Sequence, residues 1–515
     1  MSKNADSLFF GWGGEWTQVE AQLIFDILKR NVPDLIGKQR VTKGDGYIHG
    51  LLEKEEVIRF PFEHANGHTL ITGASGSGKT KCFEILLKQL ILRNEVVIYL
   101  DPKGDKDIRN VAAETCEMMG QADKYIQWHP AFPRESIRLN PLKNFARSSE
   151  LAARVTALVP EDGDSFYRDI ANTVVQYIVD ASHMINEQVT LTGIRYYYEH
   201  FAKLLEKTCI AWFDTHDINW RDKIFKTLES SVDEEFRALL CVSFYRKNVA
   251  NEHHNPTIES MASMYIDKRK LLEQSTTNLL ANLQKVSTGG LAEMLSPSDM
   301  DDPRQIYDME SIIKTNKCLI IGTDSLADRI VSSALGKMIL ADAAAVAANR
   351  YNYDENSDKV INIFVDEASE MLCEPLIQMI NKSRGAKFRL FIATQTISDL
   401  TAELGSEAKA DQIIASTNNY ISFRCNDLAT QERVCAKNPP TRVKYVMRTQ
   451  GFNASNDDIN SLTANIGERL MEEEVELFPK ELLSKLPDLE FIASFAGGRL
   501  KKGRLPILGK PKKAS

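Results

Sequence analysis

The sequence has little cysteine, and no two cysteines are spaced as a CxxC pair. Eight Cys are scattered over 515 residues without a CxxC pattern, which indicates reduced structural thiols and not a disulfide frame or a zinc site. The sequence also lacks an apolar run of the ~18 residues that span a membrane. The nearest stretch, 334–348, is interrupted by Lys337 and Asp342. No charged-then-apolar signal peptide opens the chain, so we expect a soluble globular protein.

Acidic and basic residues nearly balance, with a formal net charge of −8. This net charge disfavours attraction of nucleic acid to the whole surface, but it does not exclude binding at a local basic patch. The charge is uneven: Glu472, Glu473, Glu474 and Glu476 form an acidic run, and 499–515 is basic with no acid. We interpret the first as a solvated helix face and the second as a solvated tail.

Patterns of buried strands and helices alternate on both sides of a helical block. HTLITG and EVVIYLD precede the block, and KCLIIG, VINIFVDEA, FRLFIATQ and NNYISFR follow it. Continuous apolar strands suit a parallel sheet covered on both faces. We therefore predict an α/β fold with a mostly parallel central sheet, interrupted by an inserted all-α domain. The predicted organisation is an N-terminal segment leading into the main domain (1–60), the first part of that domain (61–150), the all-α domain (151–295), its second part (296–498) and the basic tail (499–515).

A phosphate-binding loop follows the first of these strands. The pattern G-x-x-x-x-G-K-[ST] is matched by Gly73, Ala74, Ser75, Gly76, Ser77, Gly78, Lys79 and Thr80. Its glycines allow a tight loop whose amides point at phosphate oxygens, and the following helix adds the partial positive charge of its N-terminus. Lys79 is expected to reach the β- and γ-phosphates, and the Thr80 hydroxyl to ligate Mg²⁺. The sequence therefore predicts a site for ATP and Mg²⁺.

Two adjacent carboxylates, Asp366 and Glu367, follow a later strand. The carboxyl ends of strands are where an open α/β sheet binds ligands. We predict that Asp366 holds Mg²⁺ through water and that Glu367 polarises the attacking water. Asp101 and Lys103 end a further strand, so they border the same edge of the sheet.

Two more residues lie at suggestive places. Arg384 follows a helix predicted over about 369–382, where it serves either as a cation at the helix C-terminus or as a catalytic cation. Such a helix would span on the order of 20 Å, which favours action of Arg384 on a neighbouring subunit. Gln395 ends the next strand, as a sensor of the γ-phosphate or as a simple strand-end hydrogen-bonding group.

The order and spacing of several segments resemble conjugative coupling factors of the TraD/TraG type. The segments are LFFGWGGEWT, HTLITGASGSGKT, YLDPKGDKD, IRLNPL, LSPSDMDDPRQIYD, CLIIGTDSLAD, INIFVDEASE, NKSRGAKFRLFIATQ and GRLPIL. The likeness covers most of the chain and places it in the FtsK/HerA-like branch of P-loop motors. It implies a RecA-like nucleotide-binding domain, with Arg384 as an arginine finger across a subunit interface and Gln395 as a sensor.

The resemblance also implies partners and a location. They are DNA, single- or double-stranded, with relaxase, relaxosome or effector proteins, type IV secretion channel components, and further copies of the chain in a hexamer. Family members generally begin with membrane-spanning helices. Since none is evident here, we expect a cytoplasmic chain at the inner face of the membrane, either hexameric or, without the anchor, monomeric. Two other interpretations stay open: a HerA-like DNA translocase or helicase not tied to secretion, and a protein-recruiting platform with weak ATPase activity.

Overall fold

The computed structural model describes most of the chain. The described residues are 6–29, 44, 48, 51–52, 54–159, 165–299, 301–353, 358–454, 462–496 and 498–507. The chain divides into two compact units. The first comprises Met1–Gln89, Glu367–Ser369 and Arg389–Ser515, and the second comprises Leu90–Asp366 and Glu370–Phe388.

Strands are found in both units. In chain order they are β1 (Ser7–Glu15), β2 (Glu56–Pro61), β3 (Thr69–Thr72), β4 (Val96–Asp101), β5 (Tyr125–Trp128), β6 (Arg138–Leu139), β7 (Ile306–Tyr307), β8 (Cys318–Gly322), β9 (Ile361–Val365), β10 (Phe388–Thr394), β11 (Asn419–Ser422), β12 (Thr441–Ala454), β13 (Leu462–Val475), β14 (Glu490–Phe495) and β15 (Lys501–Arg504).

Helices connect most of these strands. The described α-helices are Gln18–Lys29, Phe62–Ala65, Lys79–Leu92, Lys106–Met118, Ser148–Thr156, Ser165–Met184, Leu191–Glu199, Phe201–Thr215, Lys226–Ser230, Glu234–Asn248, Pro256–Ile266, Arg269–Val286, Gly289–Leu295, Met309–Lys314, Arg329–Tyr353, Glu374–Lys382, Ile397–Leu404, Glu407–Ser416 and Leu428–Ala436.

In the first unit, seven strands pair in the order β2-β1-β15-β14-β11-β3-β10. β3 lies between β10 and β11 and is parallel to both. The remaining pairs are antiparallel. β3 and β10 are buried along their whole length, which explains why most of their residues are apolar.

In the second unit, four strands pair in the order β9-β4-β8-β5, all of them parallel. Every residue of β4, β8 and β9 is buried, as strands covered on both faces require. The predicted α/β class with a mostly parallel central sheet is confirmed.

The helical block lies in the second unit, and its two flanks meet. The described residues of 148–295 form helices and contain no strand. β6 precedes the block and β7 follows it, and they pair in parallel with Arg138 opposite Ile306. The buried guanidinium of Arg138 donates to the carbonyl oxygens of Asp299, Asp302 and Arg304 at 2.5, 3.1 and 3.0 Å. The block therefore leaves and re-enters the α/β fold at one place, although its exact limits stay a prediction.

Two charged segments differ from the sequence-based interpretation. The acidic residues Glu472, Glu473 and Glu474 lie on strand β13 and not on a helix. The segment interpreted as a basic tail contains β15, which pairs with both β1 and β14. The remaining basic residues of this segment, Lys510, Lys512 and Lys513, lie outside the described residues, so their interpretation as a solvated tail stays a prediction.

Helix Arg329–Tyr353 is long and apolar enough to span a membrane, and it is the one described helix that is. However, 72% of that apolar window is buried inside the protein, as in the interior helix of a globular domain.

Candidate active site

The loop after β3 has the geometry of an anion cradle. Gly76 and Gly78 have φ angles of +74° and +132°, a region that side chains disfavour and glycine allows. The loop is fixed at both ends, because the Ala74 amide donates to the Arg424 carbonyl at 2.7 Å and the Leu489 amide donates to the Ser77 carbonyl at 2.9 Å. The amides in such a loop are therefore held in place before any ligand arrives.

The residues of this loop fit a bound phosphate group. Ser75 and Gly76 are exposed, and a Cβ placed on Gly76 would meet nothing within 4 Å, so the tip is open. Helix Lys79–Leu92 begins where the loop ends, and its N-terminus favours negative charge. The buried Lys79 ammonium donates to the carbonyl oxygen of Gly73 at 2.6 Å, and Thr80 is half-buried. This is the donor set that a nucleotide's phosphates and Mg²⁺ require.

Asp366 is held at the end of β9 within the second unit. Its amide donates to the Leu100 carbonyl at 2.9 Å, and the Tyr99 hydroxyl donates to its Oδ2 at 3.1 Å. Tyr99 is fully buried, and burial raises its pKa well above the ordinary value. Tyr99 therefore stays a donor at any physiological pH and fixes the orientation of this carboxylate.

Glu367 and Gln395 meet within the first unit. The Gln395 side-chain amide donates to both carboxylate oxygens of Glu367 at 3.2 Å. Glu367 is 8% exposed and has φ of +44°, a conformation that non-glycine residues seldom adopt. The sequence predicted a base and a sensor separately, and the structure brings the two side chains into direct contact.

Arg384 is exposed, in a 3₁₀ turn of residues Ser383–Ala386. The helix before it is shorter than predicted: the segment breaks into a 3₁₀ turn, Ala368–Met371, and the nine-residue helix Glu374–Lys382. Pro375 at the start of that helix is the reason, since proline suits a first turn and not a helix interior. The length argument for action in trans is therefore wrong as stated, and the exposure of Arg384 is what keeps such a role open.

Sequence reasoning missed Tyr99 and Arg424. Arg424 follows β11, its carbonyl anchors the phosphate loop, and its guanidinium donates to Asp488 at 2.5 Å. Tyr99 opens the segment YLDPKGDKD, but nothing in that segment marks it as a partner of Asp366, and no motif contains Arg424. Asp101, by contrast, has a local structural role, since its carboxylate accepts from the amides of Lys103 and Asp105 at 2.8 and 2.6 Å. Burial raises its pKa.

Two family models match the chain. One is described as the type IV secretion-system coupling protein DNA-binding domain and matches residues 56–219. The other is described as the TraM recognition site of TraD and TraG and matches residues 361–488. A search of curated proteins found no significant match.

Solved structures of a bacterial conjugative coupling protein share the fold. The trigonal form of TrwBdeltaN70 in complex with sulphate is 14% identical, with a TM-score of 0.54 over 97% of this chain and 95% of that one. TrwB in complex with ADP and Mg²⁺ gives the same identity, coverage and TM-score. TrwB in complex with the non-hydrolysable ATP analogue ADPNP is also 14% identical, with a TM-score of 0.53 over 97% and 95% of the two chains.

Proposed function

The chain belongs to the TraD/TraG type of type IV secretion coupling proteins, and from this premise we propose that it hydrolyses ATP to drive DNA toward a secretion channel. It is a nucleotide-binding protein of an ATPase family, and its cofactors are ATP and Mg²⁺. The observation that carries the proposal is the preformed cradle at Gly73–Thr80, together with a carboxylate, Glu367, that Gln395 holds in place.

Each residue has a distinct proposed role. The loop amides and Lys79 would hold the phosphates, and Thr80 and Asp366 would hold Mg²⁺, with Asp366 acting through water; the ion would supply positive charge beside the phosphoryl oxygens. Glu367 accepts a proton from the attacking water. Gln395 is a positioning residue: it donates to both oxygens of Glu367, so a shift of Gln395 towards a phosphate would change the orientation of the base.

Arg384 is proposed to act on the nucleotide of an adjacent subunit. Its exposure in a surface turn leaves the guanidinium available to another copy of the chain. The expected assembly is the homo-hexamer that the resemblance to coupling factors implies, and a head-to-tail contact that brings Arg384 to the next copy's nucleotide can close into such a ring.

DNA and a relaxosome protein are the proposed partners, together with components of the secretion channel. The two matched domain descriptions name DNA binding and TraM recognition, which supports the first two. The proposed location is the cytoplasmic face of the inner membrane, where such a channel is reached.

The decisive experiment is ATPase activity measured with and without DNA. A motor is expected to show hydrolysis that DNA stimulates, and Lys79→Ala should abolish it while the fold is retained. Glu367→Gln should keep ATP binding and stop turnover, because an amide cannot accept the water's proton. Hydrolysis that is weak and indifferent to DNA would instead identify a recruiting platform.

A second experiment tests Arg384. Arg384→Ala subunits are mixed with Lys79→Ala subunits, each expected to be inactive alone. If Arg384 acts in trans, mixed assemblies recover activity at interfaces that pair an intact Lys79 with an intact Arg384. No recovery in assemblies shown to be mixed would contradict the trans role.

A further inference from the structure

Strands β12 and β13 form a long hairpin whose outer part is exposed on both faces. The strands pair antiparallel from Thr441 opposite Val475 to Ala454 opposite Leu462. We call residues 446–450 and 466–470 the distal hairpin. All ten of its residues are exposed. A two-stranded ribbon is at best marginally stable in water by itself, so this surface calls for a covering partner.

Helix Gln18–Lys29 covers the inner part of the hairpin and stops short of the distal part. The Gln22 side-chain amide donates to the Lys444 carbonyl at 2.9 Å, and the Lys444 amide donates back to Gln22 at 2.7 Å. Gln18 donates to the Arg442 carbonyl at 2.7 Å. These bonds close the β12 edge at its inner end.

The same bonds identify which backbone groups of β12 point outward. Lys444 bonds to Gln22 through both its amide and its carbonyl, so both groups face away from β13. Because outward and inward residues alternate along a strand, the amide and carbonyl groups of Val446, Arg448 and Gln450 also face outward. Among the described residues, no hydrogen bond from another element closes this part of the β12 edge, so it is an edge to which another strand can add.

The two strands carry opposite charge. Residues 441–450 include Arg442, Lys444 and Arg448 and no acid, whereas 466–475 include four Glu and one Arg. Ion pairs join the strands across the hairpin, at 2.8 Å for Arg448 with Glu468 and 3.4 Å for Lys444 with Glu472. One edge is therefore basic and the other acidic.

The basic and acidic edges of two hairpins are complementary when the copies associate head to tail. The basic edge of one hairpin attracts the acidic edge of a second hairpin, whereas two like edges repel. The acidic strand also disfavours a nucleic-acid phosphate backbone as the covering partner. Between the two ion pairs, on the same face, Val446 lies opposite Leu470 in register, and these side chains are 55% and 63% exposed. A neighbouring hairpin would extend this apolar patch.

We propose that the distal hairpin joins copies of this chain, with β12 of one copy adding to β13 of the next and Arg448 lying beside Glu468 of the partner subunit. When the hairpins of two copies project side by side in the same direction, β12 of one copy runs antiparallel to β13 of the next, which suits the addition of a strand. The contact uses different surfaces on the two copies, which is the type of contact that builds a ring when the rotation between copies closes. This inference rests on the ring of the proposed function and names an element that holds it together.

The test is disulfide cross-linking between two differently tagged full-length chains, one Arg448→Cys and the other Glu468→Cys, mixed with Mg²⁺ and an ATP analogue. The expected product carries both tags. The matched control pairs Lys444→Cys with Glu472→Cys, which lie on the same face and form the same kind of ion pair. Here no link between copies is expected, because Gln22 occupies the edge at Lys444. Seven native Cys are buried and Cys373 is half-buried, so the parent and each single variant set the background.

Mass photometry of the same samples separates the outcomes. Rings without a doubly tagged product would overturn the hairpin contact and leave the ring standing. Links between copies of a single variant would show like edges meeting, which also overturns it. Monomers under every condition would remove the ring of the proposed function and this inference with it.

A charge variant then identifies the covering partner. Arg448→Glu should lower the assembled fraction at least several-fold. It also removes the exposed ion pair with Glu468 inside the hairpin, and since exposed pairs contribute little to stability, the monomer's Tm should fall only slightly. If assembly is unaffected and only the stimulation of ATPase activity by DNA falls, nucleic acid covers the hairpin and the proposal is wrong.

Discussion

The buried ion pair between Glu490 on β14 and Lys502 on β15 gives the sharpest prediction about stability. Its atoms lie 2.9 Å apart, and the side chains are 4% and 3% exposed. Removing one partner of such a pair leaves an uncompensated buried charge, at a cost of about 3–5 kcal/mol. Lys502→Met should therefore lower the Tm by on the order of 10 °C. The neighbouring half-buried Lys501 is the matched control, and Lys501→Met should change stability by no more than ~0.5 kcal/mol.

The assay is thermal unfolding followed by calorimetry or circular dichroism, for both single variants and for the double variant Glu490→Leu/Lys502→Met. Replacing both charges removes the unpaired group, and apolar side chains of similar volume are often tolerated in place of a buried pair. The double variant should therefore be more stable than Lys502→Met alone. If Lys502→Met and Lys501→Met unfold at the same temperature, the segment is solvated and the burial argument fails.

Three further outcomes follow from the site and the core. Gly78→Ala should weaken ATP binding at least tenfold, since φ of +132° costs a side chain about 1–3 kcal/mol. At Gly76 a Cβ would meet nothing within 4 Å, so Gly76→Ala should bind ATP more tightly than Gly78→Ala does. If calorimetry gave the reverse order of affinities, the cradle geometry would be contradicted. Gln395→Ala should lower kcat with little change in ATP affinity, as it leaves the carboxylate of Glu367 unoriented; equal loss of affinity and kcat would make Gln395 a ligand-holding residue. Burial raises the pKa of Asp342 to about 7. The stability that the protonated carboxyl contributes is therefore complete below the pKa of Asp342 in the unfolded chain and is lost as pH rises through about 7. The Tm of Asp342→Asn relative to that of the parent should accordingly rise between pH 4.5 and pH 8, and a constant difference would refute the raised pKa.

The features predictable from the sequence are those that neighbouring residues determine. The phosphate loop needs a strand, a glycine-rich turn and a helix start within a dozen positions, and β3, Gly73–Gly78 and helix Lys79–Leu92 supply them in that order. Asp366 and Glu367 are marked in the same local way by the apolar strand before them. The sequence predicts these features correctly because each depends on the backbone geometry of neighbouring residues.

The features that the sequence did not predict depend on distant partners. The basic segment 499–515 has the composition of a solvated tail, yet β15 pairs with β1, where Trp12 lies opposite Arg504. Lys502 is buried because Glu490 neutralises it, and the composition of the segment 499–515 does not predict that ion pair. The acidic run similarly lies on a strand because Arg442 and Lys444 lie opposite Glu474 and Glu472. Charge balance across a hairpin is invisible when each strand is considered alone.

Glu367 shows why the local and the non-local evidence must be combined. Its left-handed backbone, with φ of +44°, would be easier for glycine or asparagine to adopt, by on the order of 1 kcal/mol. A glutamate there costs stability, and its side chain is also nearly buried, which adds the cost of removing a carboxylate from water. The two hydrogen bonds from Gln395 offset part of that cost and fix both oxygens. These costs support the proposed role of Glu367 as the base that orients a single water molecule, because a purely structural role would be served better by a smaller residue.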